Sequence, residues 1–188
     1  MINRSKKIII IGAGILGLSI TRKLLIEGYK NITLLEKEKT IANHQSSRNS
    51  GVMHAGLYYK PGSLKAILSR KGIKMMKDYC NENKIKWEEC GKIVVANGEN
   101  ELERLNSLFE RGKENGLKGM KKLNPNEVNS IEPYVNAKSG ILVPEESIVN
   151  YKNVAESYQN EIKSYGGLIR ICSKVIEVQP SFVEIIKN

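Results

Sequence analysis

Ile8-Ile9-Ile10-Ile11-Gly12-Ala13-Gly14-Ile15-Leu16-Gly17 is the stretch on which the reading of this chain turns. Four β-branched residues run straight into a G-x-G-x-x-G pattern. A helical pattern with Ile15, Leu18 and Leu25 on one face follows to Glu27, and Gly28 suits its C-terminal cap. A second apolar run, Ile32-Thr33-Leu34-Leu35, ends in Glu36. Strand, glycine turn, helix, strand and acid, in that order, make up a dinucleotide-binding βαβ unit.

Each part has a physical reason. The isoleucine run suits a parallel strand buried on both faces. Gly12 lets the chain turn tightly out of that strand, Gly14 lets backbone approach a pyrophosphate, and Gly17 lets the helix pack close to the sheet. Free N–H groups at the helix start, with the helix dipole, favour phosphate charge. Glu36 follows Gly17 by 19 residues and suits a ribose hydroxyl. A 2′-phosphate would be repelled there, which disfavours NADP.

The bulk properties narrow the remaining classes. At 188 residues with net charge +10, the chain is long enough for a substantial core and is basic. Its lysines are spread among glutamates and asparagines without a block of five like charges, and aromatics do not interleave with them. Nucleic-acid binding is therefore not expected, while an anionic substrate or membrane surface suits the charge. Cys80, Cys90 and Cys172 lack CxxC spacing and read as reduced thiols of a cytoplasmic chain. With His44 and His54 they form no recognisable metal pattern.

Beyond Glu36 the chain leaves the Rossmann pattern. Ala42 to Tyr59 is a long, polar, glycine-punctuated loop carrying both histidines, and such loops are usually functional. Ser63 caps a helix running to about Lys84, with Leu64, Ile67, Leu68, Ile73 and Met76 as its apolar positions. Trp87 to Ala96 reads as one strand. Glu101 to Asn115 reads as a helix with Leu102, Leu105, Leu108 and Phe109 inward, and Asn124 to Ile131 as a short helix. Gly140 to Pro144 reads as a strand, and Asn150 to Tyr165 as a helix ended by Gly166-Gly167. Leu168 to Cys172, Val175 to Val178 and Phe182 to Ile186 alternate as strands.

The run Asn49-Ser50-Gly51-Val52-Met53-His54-Ala55-Gly56-Leu57-Tyr58-Tyr59-Lys60-Pro61-Gly62-Ser63-Leu64-Lys65-Ala66 resembles the signature of L-2-hydroxyglutarate oxidases and dehydrogenases. These are flavoproteins of the D-amino-acid-oxidase-like group. Cys90 to Ala96, Gly140 to Pro144 and Ser147 to Tyr151 resemble the same family. Type II glycerol-3-phosphate oxidases resemble the Asn49–Gly56 part too; the Tyr58–Ala66 continuation and Ser147 to Tyr151 tilt the reading toward hydroxyglutarate. The resemblance implies an α/β chain: a Rossmann-like FAD-binding βαβ domain with an inserted α+β substrate domain. It implies FAD-binding parts at residues 1–86 and 150–188 and a substrate part at 87–149. Family members run to roughly twice this length, so the chain reads as the N-terminal half, truncated.

The same resemblance implies the chemistry. The family oxidises the C2 hydroxyl of (S)-2-hydroxyglutarate to 2-oxoglutarate, hydride passing to the flavin N5 while a base takes the hydroxyl proton. His54 is the candidate base, since imidazole titrates near neutral pH. Gly12, Gly14, Gly17 and Glu36 would hold the adenosine diphosphate part of FAD. Ser46, Ser47, Arg48, Asn49, Ser50 and Gly51 would supply donors to pyrophosphate and flavin, and Val175 a backbone contact to adenine. Expected partners are a small 2-hydroxy acid and an electron acceptor, quinone or oxygen, with peripheral contact at the inner face of a membrane left open. An NAD-dependent dehydrogenase and a truncated nucleotide-binding fragment are the rival readings.

Overall fold

The computed structural model describes residues 4–179 and 183–187. Met1–Asn3 of the polar lead, and Phe182 at the start of the last expected strand, lie outside the described residues. In chain order the elements are β1 (Ile8–Ile11), α1 (Ile15–Ile26), β2 (Ile32–Leu35), β3 (Val52–Met53), α2 (Leu64–Glu82), β4 (Trp87–Glu88), β5 (Lys92–Ala96) and α3 (Glu99–Glu114). They continue as β6 (Lys121–Leu123), α4 (Pro125–Ile131), β7 (Ser139–Val143), β8 (Ser147–Val149), α5 (Tyr151–Ser164), β9 (Leu168–Arg170), β10 (Ser173–Val178) and β11 (Val183–Lys187). They fall into two compact units, residues 1–50 with 150–188, and residues 51–149.

The first unit carries a parallel sheet in the order β1-β2-β9. Ile8 to Ile11 stand opposite Ile32 to Leu35, and Thr33 to Leu35 opposite Leu168 to Arg170. Helix α1 makes the crossover between β1 and β2 and packs on α5. Leu18, Leu25, Leu34, Val154 and Ile162 are buried there. Arg22 ties the two helices through Glu161 at 2.9 Å and lies over the Tyr158 ring. Strand β1 is only half-buried, with Ile11 54% exposed, rather than covered on both faces as the isoleucine run suggests. It lies at the edge of the described sheet, paired with β2 alone. Strands β10 and β11 form a separate antiparallel pair.

The second unit holds two antiparallel sheets, β3-β8-β4 and β5-β7-β6. The expected single strand from Trp87 to Ala96 is two strands in different sheets. Gly91, at φ +69°, turns the chain between them, with its N–H donated to the Glu146 carbonyl. Helix α4 starts in a capping box, Asn124 and Glu127 each accepting from the other's backbone N–H. Its Val128 packs with Leu123 and Ala137 into the core over β5 and β7.

Helix α2 keeps only part of the expected inward face, with Ile73 buried and Met76 half-buried as expected. Leu64, Ile67, Leu68 and Met75 are exposed, and Ala66, Ile73, Tyr79 and Cys80 are buried. At 3.6 residues per turn, Ser69, Arg70 and Lys77 share the stripe of Ala66, Ile73 and Cys80. The polar members make bonds on that side: Ser69 Oγ donates to the His54 carbonyl, Arg70 to the Ala55 carbonyl and Glu145, and Lys77 to the Glu145 carbonyl. Those bonds, together with Gly51 opening β3 against β8, explain why residues 51–86 fold with 87–149 rather than with the first strand pair.

The tightest point of the first unit tests this account. A Cβ on Gly17 would stand 1.9 Å from the Gly12 carbonyl oxygen, whereas one on Gly14 would stand 3.1 Å from the movable Ser46 Oγ. Gly17→Ala should therefore cost about 3 kcal/mol or more in urea unfolding, and Gly14→Ala clearly less. Equal costs would contradict the packing described.

Candidate functional site

The glycine turn is held by side chains from outside it. Gly12 has φ +94°, a conformation that favours glycine, and gives its N–H to the Leu35 carbonyl. Gly14 is the extended N-cap of α1 and has no side-chain cap of its own. Ser46 caps in its place, accepting the Ile15 N–H on its hydroxyl at 2.9 Å. Glu36 reaches back across the turn: Oε2 accepts the Ala13 N–H at 2.7 Å, and Oε1 accepts the Glu38 N–H at 2.9 Å. Two amides expected to be bare, Ala13 and Ile15, are thus satisfied by side chains.

Glu36 is 7% exposed and its backbone is held as tightly. Its N–H goes to the Arg170 carbonyl and its carbonyl accepts from Ser173. The Cys172 N–H joins the Glu38 carbonyl, so the chain entering β10 runs beside the residues after β2. Val175 sits on that strand, half-buried, opposite Ile185. The Glu38 carboxyl is held down at about 2 by hydrogen bonds from Lys37 and His44.

Structure places the polar loop as a turn closed on His44, whose carbonyl accepts from the Ser47 and Arg48 N–H groups. Asn49 Nδ2 donates to the Gln45 carbonyl. Ser47, Arg48, Asn49 and Ser50 are exposed. Ser47 borders a cleft of about 370 Å³ lined by Ala42, Asn43, Lys152, Glu156 and Ile171, and the Ala42 N–H donates to the Ala13 carbonyl of the glycine turn. Of the loop residues, Ser46 is bonded into that turn through its hydroxyl and Ala42 through its backbone N–H.

Gly51 and His54 belong to the second unit. Gly51, at φ +73°, lies so close to Val149 that a Cβ would stand 2.7 Å from its carbonyl. Strand β3 then pairs with β8, Val52 opposite Ile148 and Met53 opposite Ser147. The next antiparallel step sets His54 against Glu146: Nδ1 lies 3.3 Å from Oε2. Glu146 is 1% exposed, and its other oxygen pairs with Lys92 at 3.0 Å. Lys92 also lies over the Tyr58 ring at 4.7 Å.

Glu145 and Glu146 were not singled out from sequence, nor were Arg70 and Lys92. Glu145 takes both Arg70 nitrogens at 3.0 Å and the Lys118 N–H at 2.9 Å. Burial pushes its carboxyl up, but the Arg70 hydrogen bonds, the Lys118 N–H and the charges of Arg70 and Lys77 outweigh that and hold it below the usual range. The two acids lie between β7 and β8, where adjacent charges read locally as solvated, so nothing in the local sequence marked them.

Two substitutions check these arrangements. Glu36→Ala leaves the Ala13 and Glu38 N–H groups without their acceptor, at about 1–3 kcal/mol each, a loss read in urea unfolding; an unchanged midpoint would contradict the bridge. Glu145→Gln should cost about 1–3 kcal/mol near neutral pH. Because the folded-state carboxyl is depressed, its contribution is present above the unfolded value and disappears as pH falls through the folded one. The wild-type and variant unfolding curves should converge on acidification, and a pH-independent gap would contradict the depressed carboxyl.

The chain matches the model of the FAD dependent oxidoreductase family over residues 7–186. It is 50% identical over 156 residues to the mitochondrial L-2-hydroxyglutarate dehydrogenase of Dictyostelium discoideum, covering 81% of this chain and 35% of that one. It is 44% identical to the L-2-hydroxyglutarate dehydrogenase of Indibacter alkaliphilus, covering 92% of this chain and 44% of that one. The chain thus spans less than half the length of these relatives. The L-alpha-glycerophosphate oxidase of Mycoplasma pneumoniae shares the fold, with a TM-score of 0.84 at 23% identity over 96% of this chain and 50% of that one. Glycine oxidase of Geobacillus kaustophilus does so with a TM-score of 0.82 at 20% identity, over 92% and 48%. No helix among the described residues is long and apolar enough to cross a membrane. With its βαβ glycine turn and the family match running almost from end to end, the chain belongs to the FAD dependent oxidoreductase family.

Proposed function

We propose that this chain is the cofactor-binding and base-bearing portion of an enzyme oxidising (S)-2-hydroxyglutarate to 2-oxoglutarate. The observation that carries the reading is 50% identity over 156 residues to a protein named for that activity. The resemblance of Asn49 to Ala66 supports it, since that run extends past the part shared with glycerol-3-phosphate oxidases.

The residues of the first unit fit the adenosine diphosphate part of FAD. Gly12 and Gly17 give a turn that a Cβ would block at Gly17, and the α1 N-terminus faces the phosphate position of such folds. The Glu36 carboxylate oxygens each accept one backbone N–H and keep lone pairs for ribose hydroxyls. Gly14 and Ser46 complete that cradle in this reading. Ser47, Arg48, Asn49, Ser50 and Gly51 serve pyrophosphate and flavin, and Val175 the adenine. When bound, FAD supplies the hydride acceptor. His54 takes the hydroxyl proton of the 2-hydroxy acid. Electrons pass on to a quinone or oxygen, and peripheral membrane contact belongs to this proposal.

The test uses this chain and a version extended C-terminally to the relatives' length. Flavin absorbance after purification reports cofactor retention. Anaerobic addition of (S)-2-hydroxyglutarate should bleach the extended form, and bleaching by glycerol 3-phosphate alone would overturn the substrate. His54→Ala should slow that bleaching by about 100-fold or more while retaining flavin; an unchanged rate would remove His54 as base.

A further inference from the structure

Glu146 is a carboxylate without an obvious structural reason to be buried. It is 1% exposed, and Lys92 neutralises one oxygen at 3.0 Å. The other oxygen, Oε2, is buried and accepts no hydrogen bond among the described residues. An orphaned charged acceptor is costly, so it demands a donor. The group standing at 3.3 Å is His54 Nδ1. The His54 side chain is 52% exposed, so its ring keeps an open side while Nδ1 faces the carboxylate.

This juxtaposition is built by the backbone. Met53 pairs with Ser147 in the β3–β8 ladder, which brings the residues one step further on, 54 and 146, side by side. The Glu146 carbonyl accepts the Gly91 N–H, which fixes the start of β5 and with it Lys92. Ser69 Oγ donates to the His54 carbonyl and fixes the other partner.

We propose that Glu146, with Lys92 behind it, is the positioning residue for His54: it accepts the Nδ1 proton and holds the neutral imidazole as the Nδ1–H tautomer. Nε2 then carries the lone pair. The catalytic consequence rests on the reading of His54 as the base. The Nε2–H bond forms as the substrate O–H bond breaks, and the electron pair leaves C2 as hydride to the oxidised cofactor. Glu146 opposes the charge of the imidazolium so formed, the part played by the carboxylate of a Ser-His-Asp triad.

The chain offers its own internal contrast. It has two histidines, and His44 presents Nε2, not Nδ1, to Glu38 at 2.9 Å. In ¹⁵N-labelled protein at a pH above the imidazole range, long-range proton–nitrogen correlation distinguishes the tautomers, because the bare ring nitrogen resonates far downfield of the protonated one. His44→Gln assigns the two rings. His54 should show a downfield Nε2 and an upfield Nδ1, with His44 the reverse. In Glu146→Gln the Nδ1–H form of His54 should fall from dominant to minor. A wild-type His54 in the Nε2–H form overturns the proposal, and so does an Nδ1–H preference that survives Glu146→Gln. The wild-type spectrum decides even if that variant does not fold. The result stands apart from the activity: the expected tautomer together with undiminished flavin reduction in His54→Ala sinks the base and leaves the Glu146 contact intact.

Discussion

The glycine turn of the first unit depends on one carboxylate. Glu36 follows the second strand, and both its oxygens and both its backbone groups are committed to neighbours. One oxygen closes the turn at Ala13, and the backbone ties β2 to the chain leaving β9. A 7% exposed carboxylate survives there because each oxygen accepts an N–H. The residue expected to meet a ribose is therefore first a brace for the turn that would meet the phosphates. The two roles are compatible, since a carboxylate oxygen accepts more than one hydrogen bond.

The second unit solves a comparable problem with pairs of charges. Glu145 and Glu146 follow each other after β7 and face different cations, Arg70 and Lys92. Both are anchored by the same short ladder, β3 against β8, which is only two residue pairs long. A ladder that short would be marginal alone. Ser69 and Arg70 from α2, and Asn115 after α3, reinforce it by bonding the His54, Ala55 and Gly56 carbonyls. The loop that leaves β3 is thus held by side chains rather than by a longer sheet.

What the sequence revealed and what it hid follow from these bonds. The βαβ unit was legible because Gly12 and Gly17 answer local demands, a positive φ at the first and a close approach to the Gly12 carbonyl at the second. Capped helices were legible too: Ser63 accepts the Ala66 N–H, and Asn150 the Lys152 N–H. The inward face of α2 was legible only at Ile73 and Met76. Hydrophobic spacing pointed to Leu64, Ile67 and Leu68, but Ser69, Arg70 and Lys77 find long-range acceptors, and no local pattern announces a partner 75 residues away such as Glu145. The split between β4 and β5 was hidden for the same reason, because Gly91 bonds to Glu146 far along the chain. The pairing of His54 with Glu146 is a matter of register, which becomes readable only once β3 and β8 are known to be neighbours.

In the proposed reading, the turn braced by Glu36 holds the adenosine diphosphate of FAD. Amide chemical shifts of ¹⁵N-labelled protein during a titration with FAD test it most directly. The account predicts saturable shifts at Gly12 to Gly17, Glu36 and Ser46. Saturable binding that leaves those amides unmoved would contradict it.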